Sequence, residues 1–269
     1  MGIKLIKILS YLCIAVAIIT TLFPYLWIFT ASIRPFGALI QPFVAFVPTF
    51  ENWQAVLQRP GFSRSIVNSI LVGSSVALIS VGIGSPAAYS FSRFKTGGSL
   101  GRFVILTLQM IPPAVLVIPL FLMTTRLGLL HSLFGVIIAH LTFILPLIAW
   151  FLIGFFDQIP RELEEQAMVD GCTRFQAFMR IVLPLIAPGL AASVIFAFIL
   201  SWNEFFYALI LTGGPNKTLS VVLGEFWTFR GIELGQMSAA IIVTVLPVLF
   251  LSFFVQRHMV RGLARGAIK

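Results

Sequence analysis

The fold of this chain is decided by residues 127–156, which read LGLLHSLFGVIIAHLTFILPLIAWFLIGFF. The stretch contains no Asp, Glu, Lys or Arg. A helix needs about 20 mainly apolar residues to cross the hydrocarbon core of a bilayer. A segment this long and this apolar therefore predicts a transmembrane helix rather than a buried helix of a water-soluble domain.

The composition of the whole chain extends that prediction. Of its 269 residues, 59% are hydrophobic and 10% are charged, and the mean hydropathy is +1.03. Water-soluble domains carry about 25% charged residues. With so few charges the folded surface cannot be covered against water, so we predict an all-α integral membrane protein.

The net charge of +9 raises the possibility of a nucleic-acid partner. The basic residues are scattered between apolar stretches, however, which is typical of residues that flank membrane helices. We therefore expect membrane lipid and no nucleic acid. The two cysteines, Cys13 and Cys172, form neither a disulfide framework nor a metal-ligand spacing, so we expect no metal.

Six stretches are long and apolar enough to span a membrane. The first follows Lys4 and Lys7, as a signal peptide would, but its apolar run is too long and Pro-Tyr-Leu-Trp occupies residues 24–27, where small residues should precede cleavage. We predict an uncleaved span there and a single transmembrane domain over residues 1–269. The predicted spans are residues 8–31, 66–92, 103–125, 133–156, 186–211 and 236–256.

The orientation follows from the distribution of Lys and Arg in the short connections. If the N-terminus is cytoplasmic, 12 of the 18 basic residues lie inside. Loops rich in Lys and Arg remain in the cytoplasm. Both termini are therefore predicted to be cytoplasmic.

Two spans carry residues that shape helix packing. Gly84 and Ala88 are small residues four apart, a pattern that lets helix backbones approach closely. Pro112 and Pro113 predict a kink or break in the third span, because proline lacks an amide donor. Broken backbone at this depth either packs against protein or lines a watery path, and the sequence leaves both open.

The connection of residues 157–184 differs from the rest of the chain. It holds five of the nine acidic residues. Acidic residues near its start favour a helix, Gly171 interrupts it, and Thr173 with Gln176 forms a capping box for a second short helix. Helices that rest on lipid headgroups usually carry basic residues. An acidic pair of helices indicates a docking surface for a protein partner.

The same connection resembles the EAA loop of binding-protein-dependent ABC importer permeases. The matching residues are Glu165-Gln166-Ala167, Gly171 and the run of residues 181–184, Ile-Val-Leu-Pro, all at the family's spacing. Gln166 departs from the pattern, which has Ala there. Trp-Asn-Glu-Phe at residues 202–205 is similar to an element of the fifth span in carbohydrate-uptake permeases of the maltose and trehalose type.

This resemblance implies partners and roles. The connection, called the coupling loop below (residues 157–184), would seat in a cleft of a cytoplasmic ATPase and transmit its closure. By a different argument, Leu163, Ala167, Phe175 and Met179 fall at helical intervals and make one apolar face, so Phe175 and Met179 are expected to anchor the loop to its own subunit. The residues expected to serve ATPase coupling are Glu164, Glu165, Gln166, Ala167, Asp170 and Gly171.

The resemblance also implies a complete assembly of a second homologous permease, two ATPase subunits and an extracytoplasmic substrate-binding protein in the bacterial inner membrane. Residues 213–218, Gly-Gly-Pro-Asn-Lys-Thr, lack the glycine that precedes the lysine of a phosphate loop. We expect no cofactor in this chain, with ATP and Mg²⁺ bound by the partner ATPase.

Glu204 is an acidic residue inside the fifth span. Such a carboxylate marks a functional site or bonds to a neighbouring helix, and both interpretations remain open. Trp202 and Tyr207 can stack on a sugar ring, although both residue types also favour membrane interfaces. We therefore take Trp202, Asn203, Glu204 and Tyr207 as candidates for the translocation path.

The predicted function is that of a non-enzymatic permease subunit of an ATP-driven importer for a sugar or sugar-like solute. Glycerol phosphate or another polyol is an alternative solute. A self-contained secondary transporter is the alternative from another class, but it would need more charges near the midplane. A membrane enzyme would need clustered catalytic residues, which the sequence lacks. The outer loop, residues 34–64, is expected to form a short interfacial helix that meets either the binding protein or lipid.

Overall fold

The computed structural model describes residues 2–35, 46–228 and 231–266, and this part of the chain is almost entirely helical. Short elements accompany the helices: a π-helical turn (Phe178–Val182), a 3-10 turn (Gly214–Asn216) and the antiparallel strands β1 (Trp227–Thr228) and β2 (Gly231–Ile232). The helices are α1 (Gly2–Ser32), α2 (Glu51–Gln58), α3 (Phe62–Arg93), α4 (Gly98–Gln109), α5 (Pro113–Arg126), α6 (Leu133–Asp157), α7 (Glu162–Val169), α8 (Arg174–Ala177), α9 (Leu183–Leu185), α10 (Ala187–Trp202), α11 (Phe206–Leu211), α12 (Leu219–Gly224) and α13 (Leu234–Gly266).

Within the described residues, four helices are long and apolar enough to cross a membrane, and they belong to α1, α3, α6 and α13. Two bent pairs, α4 with α5 and residues 174–185 with α10, raise the number to six if each pair is one span. The helical membrane architecture predicted from the sequence is confirmed.

The third span is broken rather than gently kinked. The axes of α4 and α5 meet at 85°, and Pro113 begins α5 where its missing amide proton costs nothing. The predicted break at Pro112 and Pro113 is confirmed. The segment of the predicted fifth span, residues 186–211, is also interrupted, because α10 ends at Trp202 and α11 starts only at Phe206.

The chain divides into two compact units, and the larger contains residues 64–221 and 248–269. Its core is built around α6, which contributes Val136, Ile144, Ile148, Leu152 and Phe156, all fully buried. Small residues let neighbouring helices reach α6. A methyl group added to Gly84 would lie 3.5 Å from the backbone nitrogen of Ala149, which confirms the predicted close approach at this glycine.

The smaller unit contains residues 1–63 and 222–247. Short helix α2 confirms the predicted helix in the outer loop, although Pro42 of that loop lies outside the described residues. Asn52 of α2 is buried and donates hydrogen bonds to the carbonyls of Ser32 (3.1 Å) and Arg34 (2.6 Å). Arg59 pairs with Glu233 at 3.3 Å and donates to the Glu225 carbonyl at 3.2 Å, so it contacts the chain on both sides of the β1–β2 pair.

Candidate functional site

The coupling loop forms the two helices that the sequence predicts. After α7, Gly171 adopts a φ of +91°, a conformation that favours glycine. The second helix begins with a complete capping box: the Gln176 side chain accepts from the Thr173 amide at 2.8 Å, and the Thr173 hydroxyl accepts from the Gln176 amide at 3.3 Å. The loop is therefore a defined helix–bend–helix unit.

Glu164 points into its own subunit. Its side chain is 9% exposed and pairs with Arg93 at the end of α3, while the Tyr89 hydroxyl donates to its other oxygen at 2.6 Å. Arg93 also donates to the carbonyl of Ile159 at 2.9 Å. Glu164, one of the residues expected to serve ATPase coupling, therefore does not present its carboxylate on the loop surface, because Arg93 and Tyr89 enclose it. It joins α7 to α3.

Ala167 is also buried, so the outward face of α7 is made by other residues. An open groove of about 550 Å³, called the acidic groove below, is lined by Glu162, Glu165, Gln166, Val169 and Asp170. Three of these five carry carboxylates and none is basic. Of the predicted coupling residues, the structure thus places Glu165, Gln166 and Asp170 on one exposed surface.

The predicted anchors of the loop are not the actual ones. Phe175 is 71% exposed and Met179 is 47% exposed, whereas Phe178 is buried against the Tyr89 ring, with centroids 4.6 Å apart. The predicted anchors assumed that a single helical periodicity runs through residue 171, so that residues on both sides of Gly171 share one face. The bend restarts the helix with a new phase, and the π-helical turn shifts it again.

At the break of the fifth span, residues 203–205, Glu204 acts as a helix cap. One carboxylate oxygen accepts from the amide of Tyr207 at 2.9 Å and the other from that of Ala208 at 3.1 Å. The second oxygen also contacts His140 Nε2 at 3.0 Å. Of the two interpretations left open for Glu204, bonding to a neighbouring helix is the one observed.

Two of the proposed path residues are closed off by aromatic packing. Trp202 is 2% exposed and stacks on Phe198 with centroids 5.6 Å apart. Tyr207 is fully buried and stacks on Phe143 at 5.9 Å. Neither ring has a free face for a sugar, which corrects that expectation. Asn203 is exposed and is the candidate that remains open.

The segment that follows α11 is held by hydrogen bonds within the larger unit. Asn68 of α3 donates to the carbonyls of Pro215 (3.0 Å) and Lys217 (2.9 Å), and the hydroxyl of Ser69 accepts from the Leu219 amide at 2.8 Å. The segment with the faint phosphate-loop pattern is thus a structural connection tied to α3.

His140 was not among the candidate residues named from the sequence. It is fully buried in α6 and provides the partner of Glu204. An available signal was the cost of a carboxylate inside an apolar span, which requires a polar partner on a neighbouring helix. Among the described residues no cluster suited to a metal ion occurs.

Comparison with known proteins places these features in a family. Residues 80–265 match the family described as "Binding-protein-dependent transport system inner membrane component". The chain is 36% identical over 259 residues to the trehalose transport system permease protein SugB of Mycobacterium tuberculosis, covering 92% of each chain. It is 34% identical over 259 residues to the diacetylchitobiose uptake system permease protein DasC of Streptomyces coelicolor, covering 94% of each.

A solved structure agrees with this relationship. A chain of a bacterial ABC transporter involved in the import of the acidic polysaccharide alginate superposes with a TM-score of 0.76 at 26% identity, covering 94% of this chain and 96% of that one. Sequence and fold thus lead to one conclusion: the chain belongs to the binding-protein-dependent transport system inner membrane components and is a multi-pass permease subunit of an ABC importer.

Proposed function

We propose that this permease imports a sugar or sugar-like solute. The support comes from its relatives, which are named for trehalose and diacetylchitobiose, and from the structural neighbour involved in alginate import.

We further propose that it pairs with a second homologous permease, two ATPase subunits that bind ATP and Mg²⁺, and an extracytoplasmic substrate-binding protein. Both termini then lie in the cytoplasm, as the distribution of Lys and Arg indicates. Long exposed helix α1 offers apolar surface to lipid and to the paired permease.

The proposed role in ATPase coupling rests on the acidic groove. Glu165 and Asp170 present charge, Gln166 presents an amide, and Val169 is 87% exposed between them. An apolar contact surrounded by carboxylates suits a protein partner that offers basic residues around an apolar socket. Ala167 and Gly171 serve this site indirectly, by packing α7 inward and by setting the bend.

For the translocation path, Asn203 is the strongest candidate. Irregular backbone at membrane depth is tolerated where it is buried in protein or lines a watery cavity. Asn203 lies at such a break, and its exposed amide is costly against hydrocarbon. It therefore faces the path between the paired permeases, where it can hydrogen-bond to solute hydroxyl groups.

The coupling role is tested by co-purification with the products of neighbouring genes. Reversing two groove charges, Glu165→Lys with Asp170→Lys, should remove the ATPase from the purified complex while membrane insertion remains normal. The single reversal Lys95→Glu is the control, because Lys95 is exposed, lies outside the groove and is predicted on the same side of the membrane.

Loss of the ATPase from the groove variant alone supports the proposal. Retention of the ATPase by the groove variant would contradict the role of these carboxylates. If the wild-type chain purifies without an ATPase and still transports solute alone in vesicles, the importer assignment itself fails.

A further inference from the structure

The break of the fifth span is held by one side chain from another helix. Ser201 is the second-last residue of α10, and Glu204 caps α11 on the other side of the break. His140 of α6 contacts both: its Nδ1 lies 2.7 Å from the Ser201 hydroxyl oxygen and its Nε2 lies 3.0 Å from a Glu204 carboxylate oxygen. A single imidazole thus bridges the two halves of the span.

Each nitrogen of the His140 ring has a hydrogen-bond partner. An ionised carboxylate can only accept, so Nε2 of His140 donates to Glu204. Nδ1 shares the second hydrogen bond of the ring with the Ser201 hydroxyl. Glu204 thereby accepts three hydrogen bonds, two from α11 amides and one from His140. Its oxygens are engaged within the protein, which leaves little capacity for a solute.

The backbone of the break is fixed as well. The hydroxyl of Ser220 donates to the carbonyl of Glu204 at 2.7 Å. His140 is fully buried and the Glu204 side chain is 11% exposed, yet Asn203 between these fixed points is exposed. The backbone amide of Asn203 donates to the Ile199 carbonyl of α10 at 3.1 Å, so the direction of its side chain follows α10, which the contact of Ser201 with His140 ties to α6.

We propose that His140 is a positioning residue, which sets the angle between α10 and α11 and thereby directs Asn203 into the translocation path. This inference rests on the proposed function, since it takes Asn203 as the residue that faces the path. It assigns Glu204 to the same device, as the group through which His140 acts on α11, and not to solute binding.

The test measures where residue 203 points and does not require the solute to be known. In a background with Cys13→Ser and Cys172→Ser, Asn203→Cys is introduced into the assembled transporter in membranes. The rate of its modification by a charged, water-soluble methanethiosulfonate is measured. A watery path should make the Asn203→Cys position reactive.

Three further backgrounds separate positioning from general damage. Ser201→Ala and His140→Gln each break the bridge across the span. Ser193→Ala is the matched control, because Ser193 is also a buried serine of α10 but donates only to the Gly189 carbonyl of its own helix, at 2.8 Å. Ser201→Ala removes a single hydroxyl, so it keeps the test informative if His140→Gln fails to fold.

Ser201→Ala and His140→Gln should slow modification of the Asn203→Cys position by about tenfold, the expected scale for losing one buried hydrogen bond. Ser193→Ala should leave the rate unchanged. If all three backgrounds react at the wild-type rate, His140 does not direct Asn203 and the inference is overturned while the path assignment stands. If the Asn203→Cys position is unreactive in the otherwise wild-type chain, the path assignment and this inference both fail.

Discussion

The junction between the coupling helix α7 and the membrane helices gives the sharpest energetic prediction. Arg93 and Glu164 are 7% and 9% exposed, whereas the nearby pair of Arg102 and Asp157 is 37% and 40% exposed. Removing one partner of a buried pair leaves the other charge without compensation and costs about 3–5 kcal/mol. Exposed pairs contribute about 0–1 kcal/mol. Arg93→Ala and Arg102→Ala are therefore a matched comparison.

The structure places Arg93→Ala at the lower end of that range. The Glu164 carboxylate keeps the hydrogen bond from the Tyr89 hydroxyl at 2.6 Å, which offsets part of its lost partner. We expect a loss of about 3 kcal/mol in the free energy that holds α7 against α3. A loss of that size raises the population of molecules in which α7 is released from α3 by roughly a hundredfold.

The assay is hydrogen exchange of the α7 amides in the purified transporter. Arg93→Ala should accelerate exchange across residues 162–169 by roughly a hundredfold, and Arg102→Ala by less than about fivefold. Adding Glu164→Ala to Arg93→Ala should restore part of the protection, because no unpaired charge then remains. Equal acceleration in the two single variants would refute the reasoning, since burial would not then distinguish the pairs.

Two glycines give further predictions. Gly171 has a φ of +91° and open space around it, so a side chain there would act through backbone strain alone. Gly171→Val should therefore weaken co-purification of the ATPase, whereas Gly171→Asn should retain more of the ATPase, because Asn adopts this conformation more readily. Equal retention by the two variants would argue against backbone strain. A Cβ at Gly189 would lie 2.6 Å from the Phe155 ring, so Gly189→Ala should destabilise the protein by about 1–3 kcal/mol in detergent unfolding. Gly154→Ala, with nothing within 4 Å, should not, and a similar loss there would contradict the packing argument.

Features governed by local rules were predictable from the sequence. The apolar spans follow from the length of hydrocarbon to be crossed, and the break at Pro113 follows from a missing amide donor. The capping box of Thr173 and Gln176 lies within one helical turn, and the structure has it as predicted. Each of these depends on neighbours in the chain and not on tertiary contacts.

Features that depend on which side of a helix faces the core were not predictable. Glu164 and Glu165 are adjacent and chemically identical, yet only Glu164 meets Arg93, which is distant in sequence. The aromatic residues of the fifth span looked available because their type suits sugar stacking, whereas Phe143 and Phe198 cover them. Which of these side chains are buried becomes clear only from the tertiary packing of α3, α6 and α10.

Cross-linking from the acidic groove tests the central claim most directly. In the background that lacks Cys13 and Cys172, Val169→Cys allows a photoreactive maleimide to be attached. The probe then occupies the position of the exposed apolar side chain of the acidic groove. Irradiation of the assembled transporter should join this chain to the ATPase subunit, and the same probe at Lys95→Cys should do so far less. Adducts with lipid or with the paired permease alone, and none with the ATPase, would contradict the claim that this loop couples ATP hydrolysis to transport.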